Sequence, residues 1–373
     1  MRSSPTAAGQ ARLPRASCPR RSRGARPLFR PFRRATTPAV LCALAVVLPA
    51  SGQTPEATAH DTHPAIDGAG ESILLEFAWP EGLTAEVEMR QRRVEGHDGH
   101  ETDITTRSRY RMTVRGHPRG LAIIQDDGRL LEVNGQPPGE SVGPVGAALA
   151  SLAGAGTTYV VSEDGMLLEV ADAGRTAEAI QRALEPHLEQ ASADASQSLR
   201  TLFEGAATEQ SLTAAAAERW NSMVWFWAWE EFEPDAVYAF EADAPSPLLP
   251  GVSVPMEYRL GFLRRVPCYE GAPADSCVAV EGQTTSDRDA VVALVARYLE
   301  GLARALGDAP DVDVQEARQE SLFSVVLEPA TMIPHEFRTS RSMSMRVRVG
   351  EESNTTTQVD EIILSFRYST PLD

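Results

Sequence analysis

Lysine is absent from this chain, acidic residues are absent from its first 52 positions, and several familiar catalytic strings are absent throughout. There is no His-Glu-x-x-His, no P-loop and no Gly-x-Gly-x-x-Gly. Their absence removes the simplest sequence grounds for a zinc protease, a nucleotide hydrolase or a dinucleotide-dependent enzyme. With no Lys, all 35 basic residues are Arg; beside abundant Ala, this reads as the coding bias of a high-GC bacterial genome. The apolar run Ala39–Leu48 is about half of the ~20 residues a bilayer-spanning helix needs. No stable membrane span is therefore expected, and no cofactor is implied.

The first 52 residues carry ten Arg, then that apolar run, then Pro49-Ala50-Ser51-Gly52. A basic leader, a short hydrophobic stretch and small residues at Ala50 and Gly52 read as a secretory signal peptide over 1–52. The destination is then periplasmic or extracellular. Removing ten of 35 basic residues leaves 25 against 52 acidic ones, a net charge near −27. A surface this acidic is a poor match for nucleic acid or for anionic membrane. Two cysteines remain beyond the leader, Cys268 and Cys277, with eight residues between them. In an oxidising compartment they predict a disulfide closing a short loop. Residues 53–71 are polar, small and aperiodic, and read as a disordered linker.

From Ser72 onward the pattern is that of one α+β domain over 72–373, strand-rich in 72–171, helical in 172–234, and strand-rich with one helix in 235–373. Leu83, Ala85, Val87 and Met89 alternate with polar residues, as do Tyr110, Met112 and Val114, which is the strand period. Asp98-Gly99 lies between the two runs, and such a pair favours a two-residue type I′ turn. Facing residue numbers must then sum to 197, placing Val87 opposite Tyr110 and Glu88 opposite Arg109. The polar tip of this hairpin is expected to project into solvent.

The string Asp127-Gly128-Arg129-Leu130-Leu131-Glu132-Val133 recurs in similar form at Asp164–Val170, predicting two similar Asp-Gly hairpins. Val142–Ala153 predicts a short helix. Ile180, Ala183, Leu184 and Leu188 form a helical stripe that Pro186 should divide, and Thr208–Phe232 predicts a longer helix. Strands resume at Ala236. Ser286-Asp287-Arg288-Asp289 should cap a helix whose stripe includes Val291, Leu294, Val295, Tyr298 and Leu299. Met343–Val349 and Ile362–Tyr368 then form a meander around a polar loop, 351–357. Such grouping predicts a curved antiparallel sheet with helices packed on one face.

Four of the five tryptophans, Trp220, Trp225, Trp227 and Trp229, fall within ten residues. On a helix, Trp220, Met223, Val224 and Trp227 share one face, while Trp225, Trp229 and Phe232 share another. A helix apolar around so much of its circumference is buried on several sides or touches something apolar outside the chain. These residues (Trp220, Met223, Val224, Trp225, Trp227 and Trp229) are the candidate ligand-binding set. The pairs His60/His63 and His97/His100 have no carboxylate or cysteine within reach, and no metal site is expected from them. No catalytic residue stands out among the many scattered carboxylates.

The segment Glu328-Pro329-Ala330-Thr331-Met332-Ile333-Pro334-His335, set between two strands, resembles the strand, x-Thr-x-x-Pro, strand texture of bacterial envelope half-barrel proteins. The lipoprotein carrier LolA and the LppX-type lipid binders are examples. Over about half of the mature chain, the resemblance implies a curved sheet folded around helices with acyl chains held between them, the tryptophan helix acting as lid or plug. This chain differs in its length, its disulfide and its tryptophan cluster. The expected function is an exported non-enzymatic envelope protein binding an apolar or lipid-like ligand between sheet and aromatic helix. The alternative is a structural or interaction module with a solid core, its acidic surface and the 90–106 hairpin meeting another envelope protein. A hydrolase using scattered carboxylates ranks third.

Overall fold

The computed structural model describes residues 72–98, 100–138, 156–190, 208–228, 231–233, 236–245, 252–305 and 312–369. The expected leader, the linker and the Val142–Ala153 helix lie outside the described residues. In chain order the elements are β1 (Ile73–Leu74), β2 (Thr84–His97), β3 (His100–His117), β4 (Gly120–Val133), β5 (Thr157–Val161), β6 (Leu167–Ala171), α1 (Ala173–Gln190) and α2 (Glu209–Met223). A single 3₁₀ turn (Trp225–Trp227) follows, then β7 (Glu231–Phe232), β8 (Val237–Pro245), β9 (Ser253–Val266), β10 (Cys277–Ser286), α3 (Arg288–Ala305), β11 (Val312–Leu327), β12 (Pro334–Val349) and β13 (Glu352–Tyr368).

Two up-and-down meanders make one sheet. Its order is β6-β5-β4-β3-β2-β13-β12-β11-β10-β9-β8, every neighbouring pair antiparallel, while β1 and β7 pair separately. Among the described residues the sheet is not closed: β6 and β8 are its edges. Consecutive strands pair because short connections favour antiparallel neighbours. The one non-consecutive seam, β2 against β13, joins the meanders.

The hairpin register is the one the sequence dictates, with Val87 opposite Tyr110, Glu88 opposite Arg109 and His97 opposite His100. Asp98 takes the positive φ, 46°, that a primed turn requires. The tip does not stand free, however, because β13 runs beside β2 as far as His97. The two Asp-Gly strings also differ. The second turns a hairpin, with Gly165 at φ 83° between β5 and β6. The first is a bulge inside β4: Asp127 has φ 53°, and Arg109 and Arg111 face Arg129 and Asp126, so two β4 residues oppose Tyr110.

Three further expectations are corrected. The α1 backbone continues through Pro186 to Gln190, the helix tolerating the loss of the one N–H that proline cannot donate. The expected 351–357 loop shrinks to a tight turn with Gly350 at φ 63°, and residues 352–357 belong to β13. The long helix expected over Thr208–Phe232 stops at Met223. Val224 departs from helical geometry (φ −130°, ψ −63°), and Phe232 joins β7. The carbonyl freed at the break, that of Ser222, accepts the Trp227 indole N–H at 2.8 Å, meeting the need for a partner at a helix end.

The α3 cap forms as the sequence indicates, through Asp287, whose Oδ1 accepts Ala290 N–H at 2.8 Å. Cys268 and Cys277 are disulfide-bonded. An extended segment ahead of β2 buries alternate residues, Leu75, Phe77 and Trp79. It docks on the 328–332 turn through Glu76 N–H to Pro329 O (3.3 Å) and Trp79 Nε1–H to Met332 O (3.0 Å).

Candidate functional site

The buried apolar residues fall into two clusters. The first gathers Phe77, Trp79, Tyr159, Trp220 and Trp227 over β2, β3, β5, β10, β11 and β13. The second joins the α3 stripe, Val291, Leu294, Val295, Tyr298 and Leu299, to β9, β11 and β12. Phe226 packs against both. The break after α2 sets its position: with Trp227 drawn into the core by its bond to Ser222, Phe226 contacts Tyr258 edge-on at 5.0 Å and Phe240 at 6.2 Å.

Beneath this turn lies a cavity of about 320 Å³. One wall is α2 and the turn, contributing Ala214, Ala217, Asn221, Trp225 and Phe226. A second is α3, through Val291, Leu294 and Val295, and the floor is the sheet from β8 to β12. Apolar surface dominates the lining, and the volume sits at the small end of the range for small-molecule sites.

A polar row crosses the floor, which also carries Asp243, Gln319 and Thr339. Thr284, Ser321, Arg341, Asp360 and Arg93 stand directly opposite one another on β10, β11, β12, β13 and β2. Cross-strand partners share a face, so all five project to one side. Thr284, Ser321 and Arg341 line the cavity. The Arg341 side chain is only 17% exposed and is ion-paired with Glu218 of α2. Burial alone would lower the Arg341 pKa, but Glu218 and then Asp360 outweigh it, so the guanidinium is held more firmly charged. Asp360 in turn accepts Arg93 Nε and Nη2, both at 3.2 Å. Burial and then the Glu218 carboxylate push the Tyr258 hydroxyl pKa upward. Ser321 Oγ is buried and has no hydrogen-bond partner among the described residues.

The structure separates the residues that the sequence grouped. Trp225 lines the cavity. Trp220, Met223, Val224 and Trp227 are buried in the first cluster. Trp220 meets Trp79 at 5.5 Å and Tyr159 at 5.6 Å, and its Nε1–H donates to Gly165 O at 2.8 Å. Trp229 lies outside the described residues, as do His60 and His63. His97 contacts Asp98 and Thr356. His335 comes close to Cys268 and Cys277, but those sulfurs are bonded to each other and its Nε2 is 2.9 Å from Glu328. One Gly-x-Ser-x-Gly string, Gly139-Glu140-Ser141-Val142-Gly143, occurs in the sequence and lies outside the described residues.

The polar row is the feature that sequence reading passed over. Its signal is a break in alternation: Gln319 and Ser321 precede Phe323, Val325 and Leu327 on one face of β11, and Thr339 and Arg341 lie between Phe337 and Met343 on β12. Only the strand register aligns these breaks.

No protein-family model matches the chain, and no curated protein matches it. Among solved structures, an outer membrane channel from Pseudomonas putida F1 aligns over 81% of this chain and all of that one, at 8% identity and a TM-score of 0.14. These comparisons do not support the lipoprotein-carrier resemblance.

Proposed function

We propose that this is an exported, non-enzymatic envelope protein that holds a small apolar or lipid-like ligand between its sheet and the helix-turn segment bearing Trp225. The observation that carries this reading is the cavity of about 320 Å³, bounded by aromatic and aliphatic side chains beneath a broken helix. In this reading the sheet curves around α2 and α3. Bulges in β4 and β11 support that curvature, since a bulge bends its strand and deepens its twist. The clustering of the α3 stripe with β9, β11 and β12 supports helices lying on one face. The bonded cysteine pair and the composition of the leader support export.

Native mass spectrometry of protein purified from its own envelope tests the reading. A co-purifying small molecule is expected, together with a change in tryptophan fluorescence on adding lipid that Trp225→Phe abolishes. A clean apo mass with no fluorescence response would overturn it. The enclosure of Trp220 and Trp227 favours a second reading, an interaction module with a solid core. Ala214→Phe, which fills the cavity from α2, separates the two. Ligand uptake disappears under the first reading, and partner binding is untouched under the second.

A further inference from the structure

The polar row constrains what the cavity can take. Among the described residues, Ser321 Oγ is a buried polar atom without a partner in its floor, on a residue only 5% exposed. Leaving a buried hydroxyl unpaired carries a desolvation penalty that a bound polar group would remove. Thr284 and Arg341 flank Ser321 directly across β10 and β12, and Gln319 and Asn221 are also lining residues.

The charges of the polar row are already matched, and the other carboxylate in the lining, Asp243 of β8, is exposed. Arg341 is paired with Glu218, Asp360 adds to its compensation, and Arg93 holds Asp360 through two hydrogen bonds. A carboxylate entering the cavity would have to displace Glu218 or sit beside it, and an ammonium group would meet Arg341. A buried charge needs a partner of its own, and this row has none to spare. The Ser321 hydroxyl, by contrast, can serve an uncharged donor or acceptor.

Resting on the cavity reading above, we propose that the ligand is a short amphiphile with an uncharged, hydrogen-bonding head (hydroxyl, ester or amide). The head meets Ser321 and Thr284, and the chain lies against Trp225, Phe226, Met256 and the α3 stripe. A volume of about 320 Å³, at the ~30 Å³ that one water occupies in the liquid, holds on the order of ten non-hydrogen atoms.

The test compares 1-decanol, decanoate and decylamine, three probes of equal chain length, by titrating the full exported protein and following tryptophan fluorescence and calorimetry. Decanol is expected to bind at least tenfold more tightly than either charged probe. Ser321→Ala should weaken decanol at least fivefold with an unchanged circular dichroism spectrum. Glu218→Gln, which removes the countercharge from Arg341, should shift the preference toward decanoate over decanol at least fivefold. Tighter binding of decanoate than of decanol to the unmodified protein, or a Ser321→Ala variant that binds decanol normally, overturns the neutral-head inference while the cavity reading stands. Failure of all three probes to bind overturns both.

Discussion

The two apolar clusters share one sheet and are built from the same residue types, yet rings close tightly in one while the other borders a cavity of about 320 Å³. Around Trp220, three aromatic rings, Phe77, Trp79 and Tyr159, close at centroid distances of 5.5 to 6.2 Å, and the indole N–H is satisfied by Gly165. Around Phe226, aromatic contacts of similar length border a void instead. The segment that fills the first region is the extended 72–80 strap, whose Phe77 and Trp79 enter beneath α2. No equivalent strap crosses the second region among the described residues, and three alanines of α2, Ala214, Ala215 and Ala217, face its void. Large side chains close a core when a further segment brings them in; small ones on a helix leave room.

The largest expected effect comes from breaking the solid side. Trp220→Ala removes a fully buried ring and the donor to Gly165, and should cost about 3–5 kcal/mol in chemical denaturation. Unfolding midpoints that barely move would erase the distinction between the regions. Arg341→Met comes next. Removing the buried cation leaves Glu218, which is 46% exposed and can recover water, so a loss of about 2 kcal/mol is expected.

Ser321→Ala should have the opposite sign. Because Oγ has no partner, its removal is expected to be neutral or to raise stability by up to about 1 kcal/mol in ligand-free protein; a clear destabilisation would show that the hydroxyl is engaged. The smallest effect concerns Glu95, near the end of the polar row. Burial raises its pKa first, Asp360 raises it further, and Arg93 only partly offsets them. A carboxyl with a raised folded pKa favours the native state at low pH, and that contribution is lost as pH rises through the folded value. Glu95→Gln should therefore stabilise by about 0.5 kcal/mol at pH 7, with the gain disappearing in melts run below pH 4.5.

Much of the strand framework could be read from the chain. Asp98-Gly99 set the β2–β3 register residue by residue because turn chemistry and alternation constrain the same pairing. Asp127-Gly128 carries the same local signal but becomes a bulge, since β4 continues alongside β3 on both sides of it. Local sequence cannot report that neighbour. The tryptophan run has a helical period, yet the helix ends at Met223, where the Trp227 indole captures the Ser222 carbonyl. The cavity was legible only through Trp225, for the polar row that crosses its floor depends on five strands coming into register.

The seam between β2 and β13 has a kinetic meaning. Gln91 and Asp360, which meet across it, are 269 residues apart in the chain. Until β13 emerges, the N-terminal meander must present β2 as a bare edge open to stray pairing, and contacts of such long range form slowly. A chain built this way gains from completing its fold only once β13 is available, so the last strand acts as the latch that makes both halves safe together.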